Sequence, residues 1–319
     1  MLPTVRHPLR EARMPYMLIR RLLAGLSLLL ALGPAWALGA PQPFATPEAA
    51  ADALVDAIAR SDEDGVRRVL GAGYRQVLAL DEVSRDDKLD FLAAWAQARR
   101  VVPQGNDRAV LEVGAANWPL PIPIVRRGDA WVFDTQAGAD ELLTRRIGRN
   151  ELAAMEAALA YFDAQKEYAR KERMPGQGLV YAQRFFSSPG KQDGLYWPTA
   201  LGEEPSPLGP AYTASGPQGG YHGYRFRILT AQGRHAPGGA YNYRDAQGRM
   251  SGGFALIAWP LQYGRTGVMS FMVNHDGVVY QKNLGPGGDA VARNMQRFDP
   301  DASWQAVQPP STLAAKSTR

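Results

Sequence analysis

The chain has no cysteine among its 319 residues. That excludes disulfides, thiolate metal sites and cysteine nucleophiles. Histidine is scarce as well: His7 lies near the N-terminus, and only His222, His235 and His275 follow. There is no HExxH and no close histidine pair, so no helix offers two imidazoles to one metal ion. No G-x-S-x-G occurs, and no S-x-x-K in a helical setting, which leaves serine chemistry without a sequence signature. Ser187, Ser188 and Ser215 fall in loops. The glycine pairs at 219–220, 238–239, 252–253 and 287–288 match neither G-x-x-x-x-G-K-[ST] nor G-x-G-x-x-G. They read as turns and bulges rather than phosphate cradles. The sequence therefore names no catalytic residue, no metal and no cofactor.

A basic surface is missing where nucleic acid would need one. The net charge of +5 arises from 36 Lys and Arg against 31 Asp and Glu. Residues 1–37 hold Arg6, Arg10, Arg13, Arg20 and Arg21 against the single acid Glu11, so the remainder is almost balanced. Nucleic-acid binding calls for clustered Lys and Arg on the folded part, and no such partner is expected. No apolar run reaches the roughly 20 residues that span a bilayer as a helix. The longest, at 22–32, follows Arg20-Arg21 and precedes Ala35-Trp36-Ala37. A basic segment, a short apolar segment and a small-x-small site in that order make residues 1–37 a signal peptide. Cleavage is expected near Ala37 or Ala40, giving a periplasmic or secreted protein with no stable membrane span.

Two folded parts follow. In the first, 44–148, Thr46 can cap a helix and Pro47 suits its first position. Leu54, Ile58, Val66 and Leu70 anchor a helix pair with a break at 62–65, and a further helix covers 86–99 with Leu89, Leu92 and Trp95 on one side. Strands are expected at 109–113, 120–125 and 130–134. The prolines at 119, 121 and 123 share one parity, which suits an edge strand. This helices-then-sheet order resembles the cone-like folds of the nuclear-transport-factor-2 type.

A central helix is expected over 149–171. Asn150 can cap it, and Leu152, Met155, Leu159 and Phe162 recur at helical spacing. Arg170, Lys171 and Arg173 suit its C-terminal dipole, and Pro175-Gly176 stops it. Most of the 33 glycines and 24 prolines come after it. Residues 172–305 read as an antiparallel β domain: 224–228 alternates, while 254–259 and 268–273 are apolar on both parities and should be adjacent central strands. The strand at 278–282 closes a hairpin through 274–277. The helix should cover one face of this sheet, and the Gly- and Pro-rich loops the other. A disordered tail is expected over 306–319. The fold class is α+β.

GLYWP at 194–198, YHGYRFRILTAQG at 221–233, APGGA at 236–240 and GGFALIAWPLQYGRTGVMSFMVNHDGVVYQKNLG at 252–285 resemble an exported bacterial family catalogued as domain of unknown function 2950. The resemblance covers about 44–304; it implies export and brings no catalytic residues. The order AQKEYA, YAQRF, DGLY, GYRF, TGVMSFMVN and DGVVY is similar to the globular part of type IV pilins and type II secretion pseudopilins. That likeness implies a sheet packed on the C-terminal half of a long helix, although the apolar pilin N-terminus is replaced here by another domain.

Aromatic residues interleaved with arginine crowd the loop-rich part. Tyr196, Trp197, Tyr241 and Tyr243 are the candidate binding residues, since stacking rings beside Arg donors suit a glycan, a peptide or another envelope protein. The sequence thus points to an exported, non-enzymatic binding or scaffolding protein. The alternative is an envelope hydrolase acting on a glycan or peptide through one of the histidines.

Overall fold

The computed structural model describes residues 39–78, 84–200, 202–209 and 220–307. The expected signal segment, Ser215 and residues 308–319 lie outside them. Helix α1, Pro47–Ala59, starts as its sequence dictates: Thr46 Oγ1 accepts the Ala49 N–H at 3.1 Å and proline occupies the first turn. Helix α2, Glu63–Leu70, is capped by Asp62, and a 3-10 turn over Tyr74–Gln76 follows. Helix α3, Arg85–Gln97, opens with a reciprocal capping box between Ser84 and Asp87. None of its residues is fully buried.

The first sheet comprises β1 (Arg99–Pro103), β2 (Arg108–Val113), β3 (Trp118–Pro119), β4 (Ile124–Arg127) and β5 (Ala130–Phe133). Its order is β1-β2-β4-β5, antiparallel throughout, with β3 also on β2. The expected strand over 120–125 is corrected. Leu120 still bonds Leu111, and Ile124 pairs with Ala109, so Pro121, Ile122 and Pro123 stand opposite the single Val110. The prolines make a bulge that divides the strand; residues lacking N–H groups cannot continue the ladder. Ala50, Leu54, Val66, Leu70, Leu111, Ile124 and Phe133 form the core here.

The central helix is longer than expected. Helix α4 runs over Thr135–Tyr168, 34 residues, or roughly 50 Å at 1.5 Å per residue. Its N-cap is Asp134, which accepts the Ala137 N–H at 3.0 Å. Asn150 lies inside the helix and instead donates to the Thr266 carbonyl at 2.9 Å. Glycines at 138 and 148 lower the helix propensity of this stretch, but Gly138 sits where a Cβ would crowd Ile122 and Val77. Close packing there outweighs propensity, and the division expected at 148–149 falls inside one helix.

After α4 come β6 (Tyr224–Leu229), β7 (Ala231–Gln232), β8 (Tyr241–Asn242), β9 (Ala255–Pro260), β10 (Met269–Asn274), β11 (Val279–Asn283), helix α5 (Gly288–Asn294) and β12 (Gln305–Val307). The second sheet has the order β12-β11-β10-β9-β6, all antiparallel, with β9 and β10 adjacent as their apolar sequences require. The C-terminal half of α4 covers one face, where Tyr161 Oη donates to the Ala255 carbonyl. The other face is covered by α5, whose Asp289 accepts from Trp259 Nε1 at 2.8 Å and pairs with Arg225 at 2.7 Å. The Gly- and Pro-rich loops, expected on that face, wrap the end of α4 instead: Gln165 bonds Ala182, and Tyr168 bonds Gln192. The tail expected from 306 is corrected at its start, since Ala306 and Val307 pair with Tyr280 and Val279.

Candidate functional site

An open cavity of about 760 Å³ lies within the first half of the fold. Its apolar wall comes from four directions: Leu54 and Ile58 on α1, Val66 on α2, Phe91 on α3, and Leu120 and Ile122 at the proline bulge. Leu142 closes it from α4. The bulge matters here, because it turns Ile122 into the core at 2% exposure while the flanking prolines have no N–H groups to satisfy. The size and apolar character are those of small-molecule sites, which span about 300–1,000 Å³. At the mouth Trp118 is 47% exposed, with the Arg145 guanidinium over its ring at 5.8 Å.

Polar groups are confined to the rim. Lys88 on α3 donates to the Ala59 carbonyl at 3.2 Å and to the Ser61 hydroxyl, tying α3 to the end of α1. Ser61 adopts a left-handed φ of 56° at that turn, which positions its hydroxyl for the lysine. Glu63 accepts from the Tyr74 hydroxyl and from Arg75, and these bonds hold its carboxyl below the usual range. Asp62 is lowered chiefly by the Gly65 N–H that it caps. Asp87 is lowered by the Ser84 hydroxyl and N–H. All three are carboxylates at neutral pH.

The four aromatic candidates lie elsewhere and divide. Tyr241 is 38% exposed, and Tyr196 is half-buried with its ring edge-on to Phe186. Trp197 and Tyr243 are core residues, at 6% and 0% exposure, which corrects the expectation of four surface rings. Tyr243 is held inside by its hydroxyl, which donates to the buried Gln232 at 2.9 Å. Trp197 is stacked under the Arg173 guanidinium at 5.3 Å. Tyr241 and Tyr243 touch each other, and no ring contact joins them to Tyr196 or Trp197 among the described residues.

Among the described residues the histidines do not assemble a triad. A catalytic imidazole needs a nucleophile on one nitrogen and an orienting acceptor on the other. His235 has Asp299 on Nδ1 at 3.1 Å, but its Nε2 receives Arg234 Nε at 3.2 Å. His275 has Tyr241 Oη 3.2 Å and Asp276 3.9 Å from the same Nε2, while its Nδ1 is buried without a partner. His222 takes a left-handed φ of 47° beside the Tyr221 ring. No group of three potential metal ligands occurs among the described residues, and none of their helices is long and apolar enough to cross a membrane.

Sequence reasoning missed the cavity because its wall is assembled from six separate segments. The one local signal was the Pro-x-Pro-x-Pro run that forms the bulge. Comparison with known proteins gives no second view of the site: no curated protein and no solved structure matches the chain, and the likeness to pilins has no match behind it. One family does match, over residues 41–307, described as "Protein of unknown function (DUF2950)". That span takes in both sheets, α4 and the cavity, and the chain belongs to this family.

Proposed function

We propose that the protein is an exported, non-enzymatic binding protein that carries a small apolar molecule in the cavity between α1, α2, α3 and the proline bulge. The cavity is the observation that supports this reading: about 760 Å³ of space with an apolar wall and charges only at its rim. A lipophilic occupant would take this apolar wall out of water, a gain of roughly 25 cal/mol per Å² of apolar surface buried. Helix α3, none of whose residues is fully buried, supplies the wall that parts for entry, hinged where Lys88 ties it to the end of α1. The second sheet serves as the rigid frame that fixes the far end of α4. Export rests on the composition of residues 1–37, and N-terminal sequencing of the protein from an envelope fraction tests it; a retained Arg20-Arg21 would remove that part.

The experiment for the cavity is extraction. Protein purified from its native envelope should release a stoichiometric apolar compound into organic solvent, detected by mass spectrometry. Leu142→Trp, which fills the cavity from α4, should abolish the compound and leave the melting temperature near that of the parent. A parent that yields nothing and binds no anilinonaphthalene dye would overturn the reading. The hydrolase alternative would have to run through His275 and Tyr241, and activity on an envelope glycan lost in His275→Ala would decide for it.

A further inference from the structure

We infer that the cavity selects a long-chain carboxylate, whose head group pairs with Arg85 while its chain lies against the half-buried Ile58, Phe91, Leu120 and Leu142. This rests on the reading of the cavity as a ligand site. Among the described residues five charged ones line it: Asp62, Glu63, Arg85, Asp87 and Lys88. Four of them are already committed. Asp62 caps Gly65 at 2.8 Å and pairs with Arg68 at 3.2 Å. Glu63 pairs with Arg75 at 2.8 Å and accepts from Tyr74. Asp87 accepts from the Ser84 hydroxyl at 2.7 Å, and Lys88 is spent on Ala59 and Ser61. Arg85 is exposed, and no hydrogen bond or ion pair joins it to any described residue.

Its position has no evident use to the fold. Arg85 is the first residue of α3, where the helix dipole disfavours a cation. An anion placed beside it meets both the dipole and five unspent N–H donors in a planar fork that matches a carboxylate. A cationic head group would face Arg85 directly, and the three rim carboxylates that could offset it are held by donors of the protein itself. A neutral head group such as a hydroxyl could accept a hydrogen bond from the guanidinium but would lack the ion pair. Among the described residues, Arg85 is the one charge of this lining without a partner, and it is therefore the selector.

Calorimetric titration of the full, delipidated protein with dodecanoate, dodecanol and dodecylamine tests the assignment, each below its micellar concentration. Dodecanoate should bind roughly two- to fivefold more tightly than dodecanol, the range expected for one partly exposed ion pair, and dodecylamine more weakly than either. Arg85→Gln should remove the preference, bringing dodecanoate to the affinity of dodecanol, and Arg85→Glu should invert it toward the amine. Raising the salt concentration should shrink the preference in the parent alone. Equal affinities for the acid and the alcohol would overturn the inference with the cavity reading intact, and so would a carboxylate preference that survives Arg85→Gln. Failure of all three ligands to bind would remove the cavity reading, and this inference with it.

Discussion

Gln165 is fully buried in the second half of α4 and holds the loop beyond the helix as a strand partner would. Its Oε1 accepts the Ala182 N–H at 2.8 Å, and its Nε2 donates to the Ala182 carbonyl at 2.8 Å and to Tyr161 Oη at 3.0 Å. Gln165→Leu keeps the volume and removes all three bonds. Two backbone groups of a buried residue then have no partner, at about 1–3 kcal/mol each. The more apolar side chain returns about 1 kcal/mol, so the net loss should be about 3 kcal/mol. For a unit of this size that lowers the melting temperature by roughly 6–10 °C, measured by differential scanning calorimetry. Gln165→Glu adds a pH signature. Protonated, the acid reproduces the donor and acceptor pair on Ala182; ionised, it is a buried charge, so burial raises its folded pKa above the unfolded value of about 4.3. Its stability is then fully present below that unfolded value and is lost as pH rises through the folded one. The Glu variant should match the parent near pH 4 and fall progressively behind it toward pH 8. A Leu variant melting within about 2 °C of the parent, or a Glu variant that tracks the parent at every pH, would refute the clamp.

Asp289 offers the opposite sign. Bonds from Arg293 and Trp259 hold its carboxyl down at about 2, so its contribution is present above the ordinary aspartate value and lost as pH falls through about 2. The melting-temperature gap between the parent and Asp289→Asn should close as pH drops from about 5 to 2; the group is nearly half exposed, so the gap should correspond to only about 1 kcal/mol. A gap independent of pH would contradict the bonding. Gly267→Ala places a Cβ inside the van der Waals radius of Tyr224 Oη, and that hydroxyl is fixed on the Met269 carbonyl at 2.8 Å. Overpacking of this kind costs about 1–3 kcal/mol, read as a lower urea midpoint with unchanged slope; an unchanged midpoint would show that the hairpin yields.

The parts of this fold legible in the sequence were those where one local rule acts alone. Thr46-Pro47 starts α1 because a cap and a fixed φ need only neighbours. The pairing of β9 with β10 follows from apolar residues on both parities, which no surface strand can carry. What escaped were features in which two distant segments decide together. Asn150 looks like a cap, yet Asp134 takes that role because β5 delivers it there, and Asn150 is left to bind Thr266. Trp197 and Tyr243 sit in glycine-rich stretches that read as surface, and they are buried because Arg173 and Gln232 wait for them inside. The cavity is the extreme case, a space bounded by residues from 54 to 142, with no motif of its own.

Strand β12 has a consequence for the order in which the molecule can be completed. Its residues, Gln305–Val307, are the last ones described, and they occupy the outer edge of β11, with Ser303 just before them bonded to Lys282. Synthesis is vectorial, so the first sheet and its cavity can close while this edge is still a bare row of unpaired backbone groups. An unpaired edge is a template for any other extended chain, and multi-part proteins misassemble through such transient surfaces. Strand β12 therefore acts as a seal applied after the rest of the second sheet, and a chain without Gln305–Val307 would keep its cavity but leave a sticky margin on that sheet.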